Sequence, residues 1–65
     1  MPYVDSTAIS RIEYDDRTQR MQIWFRGSGG PYDFCNVPRH IYESFLHARS
    51  IGEYYNDYIR GRYSC

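Results

Sequence analysis

The sequence predicts an α+β domain: a three-stranded antiparallel β-meander followed by two α-helices packed on one face of the sheet. Three observations carry this expectation. Residues 8–37 hold Ile, Trp, Tyr and Phe in short runs separated by polar or glycine-rich turns. From Pro38 onward, apolar residues recur at spacings of three and four rather than two. The chain has 65 residues, so one domain over residues 1–65 is expected, with no room for separate cofactor and substrate domains.

The first strand runs over Ala8–Tyr14 and closes on the polar turn Asp15-Asp16-Arg17-Thr18. Ile9 and Ile12 have opposite parity, which calls for a β-bulge or for a strand buried on both faces. The second strand, Arg20–Arg26, alternates cleanly, with Met21, Ile23 and Phe25 on one face and Gln22, Trp24 and Arg26 on the other. Gly27-Ser28-Gly29-Gly30 supplies the positive φ angles of a tight connection. The third strand, Tyr32–Val37, puts Tyr32 and Phe34 on one face, where they are expected as core rings against Ile41 and Phe45. Residues 1–16 are net acidic and residues 17–26 net basic, so the first hairpin should bring opposite charges together.

Pro38 suits the first turn of a helix, where its missing N–H costs nothing. Ile41, Phe45 and Ala48 then form one stripe, with Tyr42 and Leu46 beside it. Ser50-Ile51-Gly52-Glu53 matches the S-x-x-E capping box of a second helix start. Ile51, Tyr55, Tyr58 and Ile59 lie near one face of that helix, and Gly61 is placed to stop it.

Composition narrows the function classes. Eight basic residues, all Arg, balance eight acidic ones, which excludes a strongly basic coat for nucleic acid. Eight Tyr, three Phe and one Trp stand beside a single Leu, so the core is built from Ile and rings. No apolar run approaches the roughly 18 residues of a membrane span, and the start lacks a basic and apolar leader, so a cytoplasmic location is expected. Cys35 and Cys65 lack metal-type spacing and are too few for a disulfide scaffold. They are expected as free thiols in a reducing compartment, with Cys65 able to oxidise to a dimer in vitro.

Chemistry-bearing constellations are sparse. His40, Glu43 and His47 share a helical face, but seven residues separate the histidines by about 10 Å at a rise of roughly 1.5 Å per residue. Metal bonds near ~2 Å cannot span that distance, so a solvated polar face and no metal are expected. Ser28 sits in a turn rather than in a nucleophile elbow, and neither a phosphate-loop nor a dinucleotide fingerprint occurs. No enzyme activity and no cofactor are expected. Trp24, on the outward side of the second strand with Arg11 and Arg26 flanking it, matches how open sheets stack bases of single-stranded nucleic acid. The same ring could instead cover the sheet or form a homodimer interface. Arg60 and Arg62 beside Tyr63 complement a helix dipole, or form a small phosphate clamp.

The order of residues resembles the KTSC domain, a short module found alone in bacterial and phage proteins and at the C-terminus of some lysyl-tRNA synthetases. The resemblance runs from about Val4 to Tyr63. It is carried by Ser6-Thr7-Ala8-Ile9, Ile12-Glu13-Tyr14-Asp15, Met21-Gln22-Ile23-Trp24-Phe25, Gly30, Tyr32-Asp33-Phe34 and Val37-Pro38 with Tyr42. It continues through Ala48-Arg49-Ser50-Ile51-Gly52, Tyr54-Tyr55-Asn56 and Ile59-Arg60. Phe34 stands where a second Tyr is common, and the second turn is longer than usual. The resemblance implies a β-meander plus helices, and RNA binding is the activity usually suggested for the family. In that light Ser50, Gly52, Tyr54, Asn56 and Arg60 could line a polar pocket for an anionic or nucleotide-like ligand. A helix cap with close packing of Gly52 is the simpler role for the same residues.

The expectation is therefore a small non-enzymatic binding module for RNA or a nucleotide-bearing ligand. Its candidate residues are Arg11, Trp24, Arg26, Ser50, Tyr54, Asn56, Arg60 and Arg62. The alternative is a homo-oligomeric interaction factor of phage or bacterial type that inhibits a host protein or sequesters a nucleotide signal.

Overall fold

Residues 8–65 are described by the computed structural model. Strand β1 (Ile9–Asp15), β2 (Arg20–Phe25) and β3 (Pro31–Phe34) form one antiparallel sheet in the order β1-β2-β3. Helix α1 (Arg39–Leu46) follows, then α2 (Ile51–Tyr54), which widens into a π-helical turn over Tyr55–Ile59. The expected meander and helical second half are both present. β3 stops at Phe34 rather than Val37, because Asn36 adopts φ 57° and turns the chain. Val37 then donates its N–H to the Gln19 carbonyl at 2.8 Å, which seats the segment beside the first hairpin.

The core lies between one sheet face and the helices. Ile9, Ile12, Met21, Ile23, Val37, Phe45 and Ile59 are fully buried, and Phe34 nearly so. Ile9 and Ile12 both reach this core because β1 carries a bulge. Ile9 pairs with Phe25 and Arg11 with Trp24, so β1 advances two residues where β2 advances one. Helix α1 lies over β1, with Tyr42 stacked on Tyr14 at 4.4 Å between centroids. The π-helical turn lies over β2 and β3, where Tyr55 meets Phe25 and Phe34 edge to face. Burying apolar area at about 25 cal/mol per Å² makes this ring-and-Ile layer the main source of stability.

Local signals explain the helix ends. Ser50 Oγ accepts the Glu53 backbone N–H at 3.3 Å, the capping bond the S-x-x-E pattern predicts. Arg60 donates its N–H to the Tyr55 carbonyl at 2.8 Å, the five-residue bond of the widened turn. Gly61 at φ 76° ends the helix as expected.

Three expectations are corrected. Cys35 and Cys65 are joined in a disulfide rather than left as thiols. The chain beyond Gly61 turns back along β3, Ser64 bridges to Phe34, and Cys35 donates its N–H to the Tyr63 carbonyl at 2.7 Å. That pairing brings the two Cα atoms to 4.9 Å, within disulfide reach. Tyr32 is not a core ring: it stays 49% exposed, because β3 is a short edge strand, where Phe25 receives it edge to face. Tyr58 is likewise exposed, lying against Tyr54 instead of the sheet.

Candidate nucleic-acid interface

Strand register fixes what the outer sheet face presents. Cross-strand partners share a face, so Arg11, Trp24 and Pro31 form one row. Glu13, Gln22 and Asp33 form the next row, and Asp15 with Arg20 the third. The helices cover the opposite face. The bulge therefore has two effects: it turns Ile9 and Ile12 inward, and it turns Arg11 outward beside Trp24.

Within the first row, the Arg11 guanidinium lies 4.7 Å from the Trp24 ring centroid, in cation–π contact. Arg11 Nε also donates to Glu13 Oε2 at 3.0 Å, and a terminal nitrogen of the same guanidinium donates to the same oxygen. Glu13 thus fixes the guanidinium over the indole. Ser10 Oγ donates to the Trp24 carbonyl at 3.3 Å and ties the bulge to the strand that carries the ring. In the second row, Gln22 Nε2 donates to Asp33 Oδ1 at 3.0 Å, and Arg20 reaches Asp33 Oδ2 at 3.2 Å. The Gln22 hydrogen bond, and after it the Arg20 charge, hold the Asp33 carboxyl below the usual carboxylate range. An open groove of about 360 Å³ adjoins these rows, lined by Glu13, Tyr14, Asp15, Thr18, Arg20 and Gln22.

The sequence-predicted site residues fall on two sides of the sheet. Arg11 and Trp24 come together on the outer face. Arg26 follows β2 there, is exposed, and donates its backbone N–H to the Ala8 carbonyl at 2.9 Å. Ser50, Tyr54, Asn56, Arg60 and Arg62 belong to the helical layer. Ser50 Oγ is engaged as the helix cap. Tyr54 is stacked between Phe45 and Tyr58. Asn56 Oδ1 accepts from Arg60 at 3.5 Å, and Arg62 is exposed at the turn. Among the described residues, an added Cβ on Gly52 would meet Ala8 Cβ at an ordinary 3.7 Å. The hairpin charges meet as expected in register, Asp15 opposite Arg20, but Arg20 forms its ion pair with Asp33. Sequence reading missed Glu13, Arg20 and Asp33 as neighbours of Trp24. The parity of β2 already placed Gln22 beside Trp24, but Glu13 needed the bulge.

Among the described residues, no group of three or more His, Cys, Asp and Glu is placed to hold a metal ion, and no helix is long and apolar enough to cross a membrane. The KTSC domain family model matches residues 5–63. A KTSC domain protein from Yersinia pestis, known from its crystal structure, superposes with a TM-score of 0.91 at 31% identity, covering 95% of this chain and 86% of that one. A protein of Tsukamurella paurometabola is 32% identical over 63 residues, 97% of this chain and 92% of its own length. A lysine–tRNA ligase of Nostoc punctiforme is 30% identical over 59 residues, 91% of this chain, which spans only 10% of the ligase.

Proposed function

This chain belongs to the KTSC domain family, and on that footing we propose that it is a small non-enzymatic module that binds single-stranded RNA by stacking a base on the Arg11–Trp24 pair. The observation that carries this reading is the guanidinium held 4.7 Å from the indole centroid, on the sheet face away from the helices. Aromatic and Arg platforms on open sheets are a recurrent solution for single strands, worth about 1–3 kcal/mol per base. The ligase relative, a protein named for tRNA, supports RNA as the polymer. We place the module in the cytoplasm on the same grounds.

Long-range charge adds little. The outer face sets Arg11 and Arg20 against Glu13, Asp15 and Asp33, so few phosphates are neutralised there. Each neutralised phosphate adds about −0.7 to the slope of log affinity against log salt for a single strand. One or two contacts therefore predict a slope between about −0.7 and −1.4.

Trp24 is the chain's single tryptophan, so its emission reads the site directly. Titration with short single-stranded RNA should change that emission with the shallow salt slope. Arg11→Ala and Trp24→Ala should each weaken binding of a dye-labelled RNA about tenfold. RNA that binds without altering Trp24 emission would overturn the reading, as would a steep salt slope. Native mass spectrometry separates the oligomer alternative: retained RNA fragments on a monomer support the module, whereas an empty oligomer points to a protein-interaction factor.

A further inference from the structure

Two hydrogen-bond acceptors face one another on the outer sheet face. Glu13 and Gln22 are cross-strand partners, one row from Arg11 and Trp24, about 7 Å along the strands. Two Arg11 donors, Nε and a terminal nitrogen, go to Glu13 Oε2 and fill the two lone pairs of that oxygen. Glu13 Oε1 receives no hydrogen bond among the described residues. Gln22 gives Nε2 to Asp33 Oδ1. A carboxylate only accepts, so the amide nitrogen is the end turned toward Asp33, and the carbonyl oxygen is the end turned away from it. Arg20 holds Asp33 from the other side, which locks that orientation. Both Glu13 and Gln22 line the same open groove.

Two neighbouring acceptors cannot satisfy each other. Their complement is a flat group that stacks on the guanidinium–indole pair and offers two adjacent donors along one edge. Guanine does this with N1–H and the 2-amino group. Adenine and cytosine each set one amine beside a ring acceptor, and uracil sets one N–H between two carbonyls. We infer that Glu13 and Gln22 make this a guanine-selective site for single-stranded RNA, with the guanine edge donating to Glu13 Oε1 and Gln22 Oε1. The inference rests on the Arg11–Trp24 pair being the stacking platform. An arginine from a protein partner carries similar donors, but it would set a second cation against Arg11, whereas a neutral base does not.

The test uses the whole chain and short uridine-rich RNAs that differ at one central base: guanine, inosine (which lacks the 2-amino group) or adenine. Trp24 emission is the readout. Guanine should bind about tenfold or more tighter than adenine, with inosine between them. Gln22→Ala should erase the guanine preference while leaving adenine binding unchanged, and Glu13→Gln, which also loosens Arg11 over the indole, should erase the preference and weaken both RNAs, with circular dichroism matching the parent chain. The inosine comparison needs no variant and so stands apart from any folding defect. Equal affinity for all three RNAs, with Trp24 still responding, overturns the guanine assignment and keeps the stacking platform. Silence of Trp24 toward every RNA overturns both. Displacement of the guanine RNA by an arginine-bearing peptide at equal concentration also overturns it, in favour of a protein ligand.

Discussion

Reducing the Cys35–Cys65 bond should remove a large share of the stability of this chain. The cysteines are 30 residues apart. In the chain-entropy account a loop of that length stabilises the folded state by about 3.7 kcal/mol at room temperature. A domain of this size has a total stability of about 3–10 kcal/mol, so reduction leaves a marginal fold. Beside the disulfide, the C-terminal segment is held by Tyr63, half-buried against the core, and by its backbone. Its backbone ties to β3 are the Ser64–Phe34 bridge and the Cys35 N–H bond to the Tyr63 carbonyl at 2.7 Å.

The assay is equilibrium urea unfolding followed by Trp24 emission and far-ultraviolet circular dichroism, with and without a dithiol, beside a Cys65→Ser variant. With a slope of about 1 kcal/mol per molar, the midpoint should fall by about 3.7 M on reduction, and the variant should behave like the reduced parent. Hydrogen exchange at the Cys35 amide should accelerate more than exchange in β2. A midpoint that moves by less than about 0.5 M would refute the loop-closure reasoning. Alkylation of both thiols in the unreduced monomer would refute the pairing itself. The same chemistry bears on location: thiols trapped reduced in cells would fit a reducing cytoplasm, and a trapped disulfide would fit an oxidising compartment.

Other perturbations probe the remaining supports. Phe45→Ala removes the largest fully buried side chain and its stack on Tyr54, and should cost about 3–5 kcal/mol in the same urea assay. Ser50→Ala removes the cap of α2 and should cost about 1 kcal/mol, with Ser50→Thr retaining most of it. Tyr14 donates its hydroxyl to the Val37 carbonyl at 2.7 Å, so Tyr14→Phe should cost about 1 kcal/mol. Burial, followed by nearby acidic charge, raises the hydroxyl pKa of both Tyr14 and Tyr42. Their stabilising contribution is therefore complete below the ordinary tyrosine range near ~10 and is lost as pH rises through the raised values. The ring NMR signals of Tyr14 and Tyr42, read residue by residue, should consequently show ionisation together with alkaline unfolding, and titration of these two rings in a still-folded chain would contradict the burial.

The parts of this fold that were legible in the sequence are those that local chemistry decides. Strict alternation in Met21–Phe25 fixed the two faces of β2, and the Ser50–Glu53 pattern fixed the start of α2. The four-and-three spacing of Ile41, Phe45 and Ala48 marked the face that α1 buries. What escaped depends on contacts between distant segments. The disulfide follows from the return of residues 63–65 along β3, which no local spacing reveals. Tyr32 shares the core-side parity of Phe34, yet stays exposed because the helices reach Phe34 and not the outer end of a four-residue edge strand. At the candidate site, Trp24 and Arg11 were legible as outward neighbours. Their separation from Arg60 and Arg62 was not, because it depends on which side of the sheet the helices take.

Ser10 joins the core to the candidate site. With strict alternation along β1, Ile9 and Arg11 would share one face and Ile12 the other. The chain would then bury a guanidinium or expose an isoleucine, and keeping an Ile side chain from burial forfeits about 1.5–3 kcal/mol. The bulge takes the extra residue out of the alternation and so removes the conflict: both isoleucines are fully buried and Arg11 stands opposite Trp24. Deleting Ser10 would set Ile9 next to Arg11 and two residues from Ile12, so plain alternation keeps both isoleucines inward and Arg11 outward, and the deletion should retain most of the stability together with the Arg11–Trp24 contact. Ser10→Ala keeps the bulge and loses only the 3.3 Å bond to the Trp24 carbonyl, so it should cost about 1 kcal/mol or less and leave Trp24 emission near that of the parent. Urea unfolding read by Trp24 emission reports both quantities in one experiment. A Ser10 deletion that lost both the stability and the Arg11–Trp24 contact would mean that the bulge does more than restore parity, and the parity account of core and site would be refuted.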